Sequence, residues 1–387
     1  MSRPEAFRES FRRRQARLAA WLAREGIFAC VLEDFENSRN LTLRWLSGHP
    51  TDAIFVAFAD GRTVLVPWDV NLANDRAAVD RIIPYTDFKR SFREAVIGVL
   101  KGNGLEADGG AARRIEFSAR TSHLRHKELV GDLPKAEILI RSDGVESFLG
   151  KSRTIKDETE IAAIEKASAI TNTLIGTIEE SLASSRAGDL REIDLAQLVE
   201  REALALGAEG MGFETLAAGT SRSWAIHPFP TYSRERFGGP GLSILDFGVR
   251  VEGYTSDVTL TVARGALSAE QERMIGLVEQ AYAAAVAAAL PGASPQEPAR
   301  RADEVLAAAG YRMPHALGHG IGLEAHEGPL LRSQGEGSDP ALLPGMVFTI
   351  EPGLYDPAHG GVRWENDFLI GPSGAKVLTK ARIIRLP

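Results

Sequence analysis

Apolar side chains recur at Phe11, Leu18, Trp21 and Leu22, one face of a helix running from Phe7 to Arg24, with Gly26 as its stop signal. Short apolar runs follow at residues 27–32, 53–58, 63–67 and 136–140, and Asp60-Gly61 between two of them marks a hairpin turn. This alternation of helix and strand predicts an α/β domain over residues 1–150. From residue 151 the texture changes. Asp157-Glu158-Thr159-Glu160 has the spacing of a capping box, and Ile161, Ile164, Ala167, Ile170, Leu174 and Ile178 continue as a long amphipathic helix. A second helix fits 190–206. Two more open at Ser268 with Gln271, and at Ser294-Pro295-Gln296-Glu297, where Pro295 suits the first helical position. Strand-like segments lie at 243–251, 255–262, 346–350 and 368–370. Helices grouped around a mainly antiparallel sheet predict an α+β domain over 151–387.

The length of 387 residues agrees with two domains, since one hydrophobic core rarely grows that far. A net charge of -7 argues against nucleic acid as partner, because neutralising phosphates needs a basic face. Residues 1–26 carry Arg8, Arg12, Arg13 and Arg14 and lack the apolar core of a secretory signal. The apolar run 281–290 is too short to span a membrane. Cys30 is the single cysteine and reads as a small buried hydrophobe. A soluble cytoplasmic protein is expected.

The chemistry lies in four segments of the second half. Asp246 follows an apolar strand and Asp257 comes eleven residues later across Val251-Glu252-Gly253, so a hairpin would set the carboxylates side by side. Taken alone, the pair also reads as a strand end and a turn cap. His315, His319 and His326 fall within twelve positions of a chain with eight histidines, and Gly318, Gly320 and Gly322 around them disfavour a regular helix. Imidazole ligates transition metals and moves protons near neutral pH. Glu351 and Glu365 each sit beside an apolar strand segment, where an unpaired carboxylate is costly to bury. Four carboxylates and one histidine suit manganese, cobalt or zinc in a two-metal hydrolytic centre, not a structural zinc site.

In order and context these segments, LDFG (245–248), SDVT (256–259), GHGIGLEAHE (318–327), TIEPG (349–353) and GGVRWEND (360–367), closely resemble the pita-bread metallopeptidases. That family includes methionine aminopeptidase, aminopeptidase P, prolidase and creatinase. Residues 40–48 more weakly resemble the creatinase/prolidase N-terminal domain. The resemblance implies a pita-bread catalytic domain behind a smaller creatinase-like α/β domain, and it points to the branch that cleaves Xaa-Pro bonds. It implies that Asp246, Asp257, His319, Glu351 and Glu365 hold two divalent cations, manganese favoured, which activate a shared hydroxide for attack. Glu351 would also shuttle a proton. His227 and His326 would stabilise the oxyanion, and His315 would line the proline pocket. Arg363 would hold either a ligand carboxylate or the substrate's terminal carboxylate. The substrate would be a dipeptide or peptide with proline after the scissile bond, and the protein a homodimer.

Two departures from the family pattern bear on the substrate: Leu260 stands where arginine is frequent, with Arg264 as a conceivable replacement, and Trp364 stands where a smaller residue is usual. The alternative reading is a metal-dependent hydrolase or lyase of the same fold acting on a non-peptide small molecule. A non-catalytic binding module is disfavoured, because no ligand or histidine is lost.

Overall fold

The computed structural model describes residues 3–36, 38–106, 112–184, 190–334 and 340–387. The chain forms two compact units, Met1–Ser152 and Arg153–Pro387. In the first, β1 (Ala29–Asp34), β2 (Ala53–Phe58), β3 (Thr63–Pro67), β4 (Arg81–Ile82), β5 (Arg113–Phe117) and β6 (Ala136–Ile140) make one sheet of order β4-β3-β2-β1-β5-β6. Helices α1 (Arg3–Arg24), α2 (Leu41–Ser47), α3 (Val70–Arg76), α4 (Phe92–Gly102), α5 (His123–Asp132) and α6 (Val145–Arg153) alternate with it. β1 begins two residues later than the apolar run, because the Ile27 N–H closes α1 on the Leu22 carbonyl. The pattern missed β5, whose Arg113, Arg114 and Glu116 disguise it. Glu116 is fully buried, and its carboxylate accepts from Arg141 and the Val145 N–H. Burial pushes the Cys30 thiol up to about 12, as expected of an inert buried side chain.

In the second unit, α7 (Glu158–Ala183) begins with the expected box: Asp157 accepts from the Glu160 N–H, and Glu160 reaches back to the Asp157 N–H. The next helix is α8 (Glu192–Ala205). α9 (Ala269–Ala288) closes the equivalent box between Ser268 and Gln271. At α10 (Gln296–Ala308) Ser294 Oγ caps the helix by accepting the Gln296 N–H (3.3 Å), but the box does not close. Pro295 precedes the helix with helical backbone angles, and the Glu297 carboxylate turns to Arg300 and Arg301 instead.

Two sheets carry the unit. One has the order β20 (Ile383–Leu386), β12 (Val258–Arg264), β9 (Gly241–Phe247), β8 (Leu216–Ala218). The other runs β14 (Glu327–Leu331), β13 (Gly318–Gly320), β15 (Val347–Ile350), β18 (Asn366–Gly371), β19 (Gly374–Val377). Smaller pairings join β7 (Gly210–Met211), β10 (Val249–Val251) and β11 (Tyr254–Thr255), and β16 (Gly353–Asp356) with β17 (Gly360–Arg363). Pairing is antiparallel except between β12 and β20. The single strand expected over 243–251 breaks after Phe247, since the Val249 N–H bonds to the Ser256 hydroxyl (3.1 Å) and β10 joins another sheet.

Leu174, Ile178, Leu195 and Val199 of α7 and α8 pack with Leu245, Phe247, Leu260 and Val262 of the first sheet. Met274, Val278, Ala302 and Leu306 of α9 and α10 pack with Phe348, Ile350 and Phe368 of the second. Of the alanines of 281–290, Ala281, Ala285 and Ala289 are buried in this core, while Ala283 and Ala287 are exposed. Among the described residues, no helix is long and apolar enough to cross a membrane.

Candidate metal centre

The chain reverses at Glu252-Gly253, both with positive φ (53° and 91°), between the paired residues Val251 and Tyr254. Two such residues in succession make the tight hairpin that matches strand twist. It returns the chain so that β12 lies antiparallel on β9, with Thr259 opposite Asp246 and Asp257 just before the strand. β13 supplies His319, whose N–H donates to Thr349 Oγ1 of β15 (3.2 Å), and Glu351 follows β15 directly. Glu365 arrives beyond β17 and bridges to Thr259, so carboxylates from both sheets meet at one seam.

Donor atoms of Asp257, His319 and Glu365, all buried, lie within 4.8 Å of one another. His319 Nε2 is 3.3 Å from Glu351 Oε1 and 3.8 Å from Asp257 Oδ2. Asp246 Oδ2 accepts from Arg363 Nη2 (2.6 Å), while its Oδ1 is buried with no partner among the described residues. Burial, then repulsion from neighbouring carboxylates, drives Asp257 and Glu365 well above the usual carboxylate range. Asp246 is raised by burial against the pull of Arg363. For His319, burial pulls the pKa down, but the Glu351 hydrogen bond and charge outweigh it and the net shift is upward. A buried group of anions with an orphaned oxygen is unfavourable unless cations compensate it, and oxygen-rich donors with one imidazole fit hard or borderline divalent ions.

Around this group stand residues with other tasks. Arg363 is 2% exposed, and all three of its guanidinium nitrogens donate: besides Asp246 the partners are Thr259 Oγ1 (2.9 Å), the Tyr355 hydroxyl (2.8 Å) and the Ile226 carbonyl (3.2 Å). Arg363 thereby holds Asp246, one carboxylate of the candidate site. His315 Nε2 lies 3.1 Å from the Tyr355 hydroxyl, and burial lowers its pKa. The His326 ring sits 4.0 Å from that of His319, and burial followed by the His319 charge lowers it. His227 lies on the exposed loop that Arg363 tethers at Ile226, close enough for its charge to act on Asp246, His315 and His326.

Two residues were missed by the sequence reading. Tyr355 links His315 to Arg363, and burial raises its hydroxyl to about 12. Asp367, fully buried, accepts the Asp257 N–H on both oxygens (3.2 and 3.1 Å) and fixes that residue's backbone. Its one signal was a third acid two positions after Glu365, on the same face of a strand.

At the two departures the side chains pack away from the candidate site. Leu260 points into the core, while Thr259 and Thr261 on the opposite face bond to Glu365 and Arg363. Arg264 donates to the Leu182 carbonyl and replaces nothing at the site. The Trp364 indole stacks on Tyr282 at 4.0 Å and donates to the Ala381 carbonyl.

Comparison with known proteins agrees with this picture. The chain is 30% identical over 346 residues to an Xaa-Pro dipeptidase of Pyrococcus horikoshii, covering 87% of this chain and 95% of that one. Among solved structures, an Xaa-Pro dipeptidase from Bacillus anthracis superposes with a TM-score of 0.83 at 25% identity, over 97% of this chain and 100% of the other. An X-Pro aminopeptidase from Thermotoga maritima gives 0.82 at 25% identity, over 96% and 99%. The pattern of metallopeptidase family M24 matches residues 162–372, a span that contains every carboxylate and histidine of the candidate site. The chain belongs to metallopeptidase family M24 and is a metallopeptidase of pita-bread fold.

Proposed function

We propose that the chain is a dinuclear peptidase that hydrolyses the bond preceding proline, in a dipeptide or at the amino end of a longer peptide. The convergence of Asp257, His319 and Glu365 within 4.8 Å carries this reading. The named activities of the Pyrococcus, Bacillus and Thermotoga relatives support the proline preference. In this reading Asp246, Asp257, His319, Glu351 and Glu365 hold two divalent cations, manganese the first candidate. When bound, the cations supply Lewis acidity that acidifies water and polarises the scissile carbonyl.

The protein's side chains do the remainder. Burial would push Glu351 up, but the His319 hydrogen bond and nearby cationic groups outweigh it and hold the carboxyl below its usual value. In this reading Glu351 takes the proton of the attacking water and delivers it to the departing nitrogen. That delivery is essential, because a prolyl amide nitrogen carries no hydrogen and leaves poorly unprotonated. His326 and His227 donate to the developing oxyanion. His315, oriented by Tyr355, borders the proline ring.

The test is proline release by the manganese-loaded protein from Xaa-Pro dipeptides, an Xaa-Pro tripeptide and creatine-like amides. Release from the peptides alone is expected, and the dipeptide-to-tripeptide ratio separates the two peptidase types. Absence of proline from every peptide would sink the proposal.

A further inference from the structure

Directly after His326, the Glu327 side chain is 6% exposed and lies within a cluster of buried charge outside the metal centre. Its Oε1 accepts from Arg153 Nη2 and from the Glu324 N–H (3.0 Å), and its Oε2 stands 3.5 Å from Lys156 Nζ. Arg153 and Lys156 are 6% and 1% exposed, and Arg153 also donates to Glu324 (3.0 Å). Burying several charges gains little stability over apolar packing, so the cluster is better read as fixing a geometry. The segment it fixes is the β13–β14 connection. There the register shifts between His319 and Gly320, so that Gly320 pairs with Glu327. A Cβ on Gly322 would lie 2.7 Å from both Glu327 carboxylate oxygens, so the loop backbone is wrapped against that carboxylate.

His326 needs such support. Its ring makes no hydrogen bond to the protein among the described residues, leaving both nitrogens for a substrate. The ring is located by its backbone and by contact with His319, and that backbone is held one residue away by Glu327. We infer that Glu327, clamped between Arg153 and Lys156, is the positioning residue that sets His326 over the reacting carbonyl. The inference rests on the oxyanion role proposed for His326.

The experiment is a cycle of His326→Ala, Glu327→Gln and the double variant in the manganese-loaded full chain. It records kcat, KM on an Xaa-Pro dipeptide and bound metal, and, with diamagnetic zinc in place of paramagnetic manganese, the imidazole NMR signals of the folded protein. His326→Ala is expected to lower kcat by about 100- to 1,000-fold, as for loss of an oxyanion donor. Glu327→Gln should lower it by roughly 10- to 100-fold with metal content and KM preserved. The double variant should be no slower than His326→Ala alone. The His326 ring signal, assigned by its loss in His326→Ala, should broaden or split in Glu327→Gln. Multiplying losses, or an unchanged ring signal with unchanged kcat, would overturn the inference. If Glu327→Gln does not fold, Lys156→Met, which removes one clamp only, enters the same cycle. A wild type that releases no proline refutes the peptidase reading, while the ring signal still decides the positioning.

Discussion

Arg363→Met tests how the metal centre is held together. Methionine keeps an unbranched apolar stem but ends short of the guanidinium, so the polar contacts are lost together with part of the packing. Those contacts are the 2.6 Å ion pair with Asp246 and donations to Thr259, Tyr355 and the Ile226 carbonyl, all from a side chain 2% exposed. Removing one partner of a buried ion pair costs about 3–5 kcal/mol, because the other charge is left uncompensated. At roughly 2–4 °C per kcal/mol for a unit of this size, the chelated protein should melt about 6–20 °C lower. Manganese should recover part of that loss, since a cation offsets the stranded Asp246. Arg363→Lys keeps the charge without the planar fork and should fall between wild type and methionine. Thermal unfolding with and without chelator, beside KM on a dipeptide, makes the measurement. A methionine variant that melts within about 2 °C of wild type yet has a raised KM would refute the reasoning and assign Arg363 to the substrate carboxylate.

Asp257→Ala and Glu365→Ala should each reduce bound metal to at most one ion per chain, and unchanged content by elemental analysis would contradict the ligand assignment. Chelation should lower thermal stability more at pH 8 than at pH 5.5. In the metal-free fold Asp257 and Glu365 are raised well above their unfolded values of about 4, so the stability they contribute below that pH is lost as pH rises through their folded values. Free metal at about 100 times its Kd should restore roughly 2.7 kcal/mol per ion, and an equal or larger gap at pH 5.5 would contradict the sign. Leu260→Arg should destabilise the protein by several kcal/mol, of the order expected for an unpaired charge forced into the core. A stable, soluble variant with altered substrate preference would show that position 260 faces the site after all.

Much of the site was legible before any fold was known, because it depends on local pattern. Asp246, Asp257, His319, Glu351 and Glu365 each stand in a short context whose residue types announce a strand end, a glycine-lined approach or a turn. The boxes at Asp157 and Ser268 are equally local, since their bonds close within three residues. Partner choice is different. Thr259 meets Glu365 across 106 residues, and Arg363 meets Asp246 across 117. No periodicity encodes which strand lies beside which. Hence Tyr355 and Asp367 escaped notice, and the contacts of Arg363 with Asp246, Thr259 and Tyr355 could not be read from the sequence. The direction in which Leu260 and Trp364 point was hidden for the same reason. Their departure from a pattern was visible, but the direction of a side chain follows from strand register, and register is set by pairing over the whole unit. The charged strand Arg113–Phe117 was hidden likewise, because Glu116 can be buried only where Arg141 and the Val145 N–H wait for it. Sequence alone thus determined which donors exist and in what order. Tertiary structure decided which of them face one another, since burial makes charges compensate only through neighbours that the chain brings from far away.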